Sequence, residues 1–132
     1  MKLHYGNSQR TLEYRKGYEW LGYQPHPFER IRECTALLLT SRFEGSPLVL
    51  IEANAQGIPV ISSNCQAGPE DIVIEGVNGY LFPEGDLDGF FHLLEKAIDG
   101  KLVFASPEEI ARTAERFSPE AFYERFKATL GL

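Results

Sequence analysis

Cysteine, histidine and long apolar runs are all scarce in this chain of 132 residues. Only Cys34 and Cys65 are present, without CxxC spacing, so they read as reduced, cytoplasmic thiols rather than a disulfide framework. His4, His26 and His92 stand far apart, which gives a His/Cys metal site no support. No apolar run approaches the ~20 residues that span a bilayer, and no stretch resembles a signal peptide. Net charge is −6 and the basic residues are scattered. Without a basic stripe to neutralise phosphates, nucleic acid is not an expected partner. No internal repeat or low-complexity segment appears.

What remains is the composition of a soluble globular domain, 43% apolar and 24% charged. The length fits one domain over residues 1–132, with a real core. Short β-rich runs alternate with helix-like segments, the pattern of βαβ units around a parallel sheet. "LHY" (Leu3–Tyr5) and "YEWLG" (18–22) are strand candidates, and a helix over Phe28–Cys34 should open at Pro27. "ALLLT" (Ala36–Thr40) is continuously apolar, as buried parallel strands are. "IPVISS" (Ile58–Ser63) and "GYLF" (Gly79–Phe82) follow as strands, with Gly57 as a helix stop and Pro69–Glu75 as a short helix. Beyond Pro83 the pattern is helical. Asp86 should cap Leu87–Ile98, while Ser106-Pro107-Glu108-Glu109 and Ser118-Pro119-Glu120 open two further helices. The expected fold is α/β, a Rossmann-like parallel sheet with a helical C-terminal tail.

Between "ALLLT" and "IPVISS" lies "EGSPLVLIEA", Glu44 to Ala53, in which two carboxylates bracket a greasy run. Ligands of open α/β sheets collect at the carboxyl ends of the strands, where this loop sits. Ser46 suits a helix N-cap and Pro47 a first helical position. The amides of Gly45, Ser46, Leu48 and Val49 should then point out of the helix start and, with its dipole, offer a site for a phosphate or diphosphate. Glu52 would lie about 7–8 Å further along the axis, at ~1.5 Å per residue, with Glu44 on the other side. A diphosphate with hydroxyls at both ends, as in a nucleotide sugar, would suit that spacing. Equally, Glu52 and Gln56 could form the wet stripe of a mostly buried helix.

Seven residues separate Glu44 from Glu52, the E-x7-E pattern of retaining glycosyltransferases with the GT-B fold, glycosyltransferase family 4. The surrounding "LLLTSRFEGSPLVLIEANAQGIPVISSNCQAGPEDIV", followed by "GVNGYLF", resembles the donor-binding, C-terminal half of those enzymes over Tyr18 to Phe82. "LLLTS.FEG", "GIPVISS" and "GPED" are most similar to lipopolysaccharide 1,6-galactosyltransferases. The resemblance implies that Glu44 contacts the transferred sugar, Glu52 the ribose, and the amides of Gly45, Ser46 and Leu48 the distal phosphate. It places Tyr23 and Gln24 at the base and lets Gly68 bring backbone close to the donor. The implied donor is a UDP-hexose and the acceptor a glycan such as lipopolysaccharide core, with no metal and no cofactor. Glu70 and Asp71 read as acids at the start of the helix opening at Pro69, Phe43 and Tyr80 as core, and Arg42 and His26 as surface.

The resemblance also implies an N-terminal acceptor domain and an Arg/Lys pair on the diphosphate, which this sequence does not match. The expectation is a donor-domain fragment of a two-domain enzyme, cytoplasmic or peripheral at the inner membrane. The central strand of the 3-2-1-4-5-6 order would be missing. Either "LHY" pairs directly beside "ALLLT", or a second copy covers that edge in a homodimer. The rival expectation is a catalytically inactive module that binds nucleotide or a partner domain. A flavodoxin-like receiver is a third, unsupported by any acidic cluster at a first strand end.

Overall fold

Among the described residues three short strands form one parallel sheet in the order β1-β2-β3, each following the last in sequence. They are β1 (Leu37–Leu39), β2 (Val60–Asn64) and β3 (Gly79–Pro83). The computed structural model describes residues 21–131. The Leu3–Tyr5 strand and residues 18–20 of the second strand candidate lie outside them. Leu21 and Gly22 are irregular, with Gly22 at φ +61°.

β2 is the buried centre, hydrogen-bonded on both sides. Leu38 pairs with Ile61 and Ile61 with Tyr80, so consecutive residues of β2 serve opposite faces. Val60 faces a core made with Leu50, Ala53, Ile58, Ile72 and Val73. Ile61 faces a second core with Phe82 and Ala97. Both faces of β2 are covered by helices. β1, expected to be buried, is not: Leu37 and Leu39 are half-buried and Leu38 is exposed, because among the described residues β1 has only β2 as a strand neighbour.

The described residues also form six helices: α1 (Pro27–Arg30), α2 (Leu48–Ala55), α3 (Pro69–Ile72), α4 (Leu87–Ile98), α5 (Pro107–Ala114) and α6 (Pro119–Leu130). A 3-10 turn at Glu115–Phe117 joins the last two. The three C-terminal helices start where their capping residues predict. Asp86 accepts from the Gly89 amide at 2.9 Å, and Ser118 Oγ accepts from Ala121 at 3.1 Å. At α5, Ser106 and Glu109 form a reciprocal capping box. α2 ends in a Schellman motif, with Gly57 at φ +75° and Ile58 N–H donating to the Ala53 carbonyl at 3.0 Å. A Cβ on Gly57 would lie 2.8 Å from the Pro107 carbonyl oxygen, so this stop also lets α5 pack on α2.

Two helices are shorter than their sequence suggests. α1 is a single turn that ends at Arg30 instead of Cys34, because Ile31 leaves the helical region at φ −112°, ψ 16°. α3 stops at Ile72 instead of Glu75, because side chains capture the next backbone groups. Arg116 Nη2 donates to the carbonyls of Asp71 and Ile72 at 2.7 and 2.9 Å. Asn78 takes the Ile74 amide on Oδ1 at 2.7 Å and donates to the Ile72 carbonyl at 3.0 Å.

Candidate functional site

The loops leaving β1 and β2 meet at the carboxyl end of the sheet. Ser63 Oγ donates to the Ser41 carbonyl at 2.5 Å. Phe43 and Gln66 form an isolated parallel bridge one step beyond. A Cβ on Gly68, at φ +122°, would lie 2.7 Å from Pro47 Cδ, so only glycine allows this approach. Glu44, Gly45, Ser46 and Gly68 are therefore brought together around the start of α2.

That start differs from the sequence expectation by one residue. Pro47, not Ser46, is the N-cap, and Ser46 makes no side-chain cap bond. The physical reason is the proline backbone at φ −77°, ψ 66°, with Leu48 N–H donating to the Ser46 carbonyl at 2.8 Å. These are the marks of an inverse γ-turn, which the fixed ring torsion favours. The Leu48 amide, expected to point at an anion, is engaged in this turn. Among the described residues, the amides of Gly45, Ser46 and Val49 have no acceptor. An uncapped helix start with unpaired donors attracts anions.

Glu52 is exposed on α2, and Glu44 is half-buried in the loop. Gln56 is exposed on the same helix, so the solvent-facing stripe expected for Glu52 also exists. Tyr23 is 92% exposed in a loop of its own, where Gln24 Nε2 donates to the Leu21 carbonyl at 2.6 Å. Phe43 corrects its expectation as core: it is 70% exposed, because its backbone bridges Gln66 in a loop above the sheet. Tyr80 is half-buried, its ring edge-on to Phe104 and its hydroxyl donating to the Val103 carbonyl at 3.0 Å. Arg42 and His26 are exposed, as are Glu70 and Asp71 in the first turn of α3. Among the described residues no three His, Cys, Asp or Glu side chains group to hold a metal ion, and no helix is long and apolar enough to cross a membrane.

Residues 5–117 match the family described as "Glycosyl transferases group 1". The chain belongs to that family. This group 1 glycosyltransferase sequence is 42% identical over 110 residues to the lipopolysaccharide 1,6-galactosyltransferase of Escherichia coli, covering 80% of this chain and 30% of that enzyme. The enzyme of the same name from Salmonella typhimurium is 40% identical over 111 residues, covering 81% and 31%. Among solved structures, the apo form of the lipopolysaccharide outer core galactosyltransferase WaaB matches with a TM-score of 0.77 and 38% identity, over 86% of this chain and 33% of that one. The chain thus spans about a third of the length of these relatives. The parallel sheet with flanking helices and a helical C-terminal region agrees with the GT-B, Rossmann-like expectation.

Sequence reading missed three buried polar residues. Of these, Ser63 bonds the loop of the site, and Asn54 and Asn78 lie at the opposite, amino end of β2 and β3. A signal existed for the first: the serine pair closing an apolar strand buries two hydroxyls, which demand partners.

Proposed function

We propose that this chain is the donor-binding portion of a retaining hexosyltransferase that takes galactose from UDP-galactose to a glycan such as lipopolysaccharide core. The observation that carries the reading is the uncapped start of α2, whose Gly45, Ser46 and Val49 amides lie between Glu44 and Glu52. In this reading those amides hold the diphosphate and the helix dipole stabilises its charge as the leaving group departs. Glu44 accepts from the hexose hydroxyls and Glu52 from the ribose. The Tyr23–Gln24 loop contacts the base, and Gly68 keeps the second loop close to the phosphate. No metal is required, because the developing charge meets backbone donors.

The relatives named above support the sugar and acceptor classes by similarity. Residues 1–132 alone are expected to bind donor without transferring it, since transfer also needs the acceptor held in reach. The proposed setting is the cytoplasm or the inner membrane face. The open edge of β1, where Leu38 is 45% exposed, is the proposed seat of a further strand, from residues 1–20 or a second copy.

Titration of the chain with UDP-galactose, UDP-glucose and UDP in EDTA, followed by NMR, tests the reading. Shifts centred on Gly45 to Val49 at millimolar donor are expected. Shifts that leave out Gly45 to Val49, or binding that needs a divalent cation, would overturn it.

A further inference from the structure

Ser63 stands at the carboxyl end of β2 and is 2% exposed. Its neighbour Ser62 is equally buried, yet the two hydroxyls do different things. Ser62 Oγ donates within its own strand, to the Ser63 carbonyl at 3.0 Å. Ser63 Oγ leaves the strand and donates to the carbonyl of Ser41, 22 residues earlier. Ser41 lies three residues before Glu44 in the loop that follows β1. Among the described residues no side-chain bond holds Glu44 itself, so its position depends on what fixes the loop backbone. β2 is the rigid reference, being paired on both sides.

We propose that Ser63 is a positioning residue for sugar recognition: its hydroxyl anchors the loop from Ser41 to Ser46 so that Glu44 faces the transferred hexose. This inference rests on the donor-binding reading above. The Phe43–Gln66 bridge and the contact of Gly68 with Pro47 tie the same two loops further out. The Gly68 contact lies at the helix start, where the diphosphate would sit, whereas the Ser63 bond and the Phe43 bridge lie on the β1 side of Glu44, with the Ser63 bond at the root of the loop. Loss of the hydroxyl therefore frees the root of the loop while the start of α2 stays in place. The consequence is selective. Affinity for the sugar-bearing donor falls and affinity for bare UDP does not.

The test is calorimetric or NMR titration of the full chain with UDP-galactose and with UDP. Ser63→Ala should weaken UDP-galactose about fivefold to tenfold and change UDP by less than about twofold, as expected when a supporting bond is lost and the recognising group drifts. Ser63→Thr, which keeps the hydroxyl, should restore the preference. Ser62→Ala should leave both affinities unchanged. Should Ser63→Ala fail to fold, Ser63→Cys supplies a weak donor of similar size and carries the same expectation. Equal loss of both ligands, no loss of either, or the same split in Ser62→Ala would overturn the inference. Glu44→Gln run alongside separates two kinds of failure. If it abolishes the preference and Ser63→Ala does not, only this inference fails. If Glu44→Gln keeps the preference, the hexose role of Glu44 fails and this inference falls with it.

Discussion

Asn54 and Asn78 meet in the interior, where Asn54 Nδ2 donates to the Asn78 carbonyl at 3.2 Å and to the Ile58 carbonyl at 3.1 Å. The two are not equivalent. The Asn78 side chain uses both its ends, on Ile74, Ile72 and Thr113 Oγ1, whereas Asn54 Oδ1 has no partner among the described residues. The Asn78 carbonyl also accepts from Val60 N–H at 3.0 Å, so it stays paired if Asn54 is truncated. Asn78→Ala should therefore destabilise by about 3 kcal/mol and Asn54→Ala by only about 1–2 kcal/mol. Urea unfolding of both variants checks the order, and the reverse ranking would contradict it.

Glu52→Ala should weaken UDP by about 1.5–3 kcal/mol, the range for a lost hydrogen bond to a charged group. Glu44→Ala should spare UDP and reduce discrimination among UDP-sugars. Calorimetry on both variants decides the assignment. An equal loss of bare UDP affinity in both would show that the two carboxylates do not divide the ligand between them.

Gly57→Ala should cost about 2–4 kcal/mol, combining the left-handed backbone with a clash against the start of α5. Gly85→Ala provides the control, since Gly85 has φ +80° but no atom within 4 Å of an added Cβ. Its cost should be the backbone part alone, about 1 kcal/mol. Thermal melts of the pair would separate conformational from packing strain.

The capping box at α5 predicts a pH dependence. The Ser106 backbone N–H and then its hydroxyl hold the Glu109 carboxyl below its ordinary value of 4.5. A depressed folded-state pKa means the unfolded state binds the proton more readily. This contribution is present above the ordinary glutamate range and is lost as pH falls through the lowered value. Glu109→Gln should flatten that part of the acid limb of stability, and an unchanged limb would show that the box adds nothing. Lys101 behaves oppositely: hydrogen bonding and then charge attraction from Asp99 raise its pKa, so its small contribution fades only at high pH.

Much of the fold was legible because local signals agreed with the global arrangement. Asp86, Ser106 and Ser118 announced their helices by side-chain chemistry that acts within four residues. The apolar start of β2 reported burial on both faces, whereas the run in β1 did not, since Leu38 is 45% exposed. What escaped was set by side chains outside the helix concerned. Arg116 and Asn78 shorten α3 from 45 and 6 residues away, as separations in sequence. The γ-turn at Pro47 escaped for a different reason: proline fits both the N-cap and the next position, and only its ψ of 66° distinguishes them. Spacing singled out the two glutamates, but the bond that roots the loop of Glu44 joins residues no spacing rule connects.

Proline at the N-cap of α2 has a consequence for how the site responds to occupancy. A serine or aspartate there would fold back and satisfy the helix start internally, leaving little for a guest. Pro47 has no such side chain, so the first turn is left chemically unfinished, and a bound diphosphate would complete it. Ligand and helix then become mutually reinforcing. Saturation at about 100 times Kd should raise the unfolding free energy by about 2.7 kcal/mol, by mass action alone. The first turn of α2 should tighten most. Hydrogen exchange at Val49 would slow in proportion to occupancy, so the uncapped start of one short helix would register a bound diphosphate.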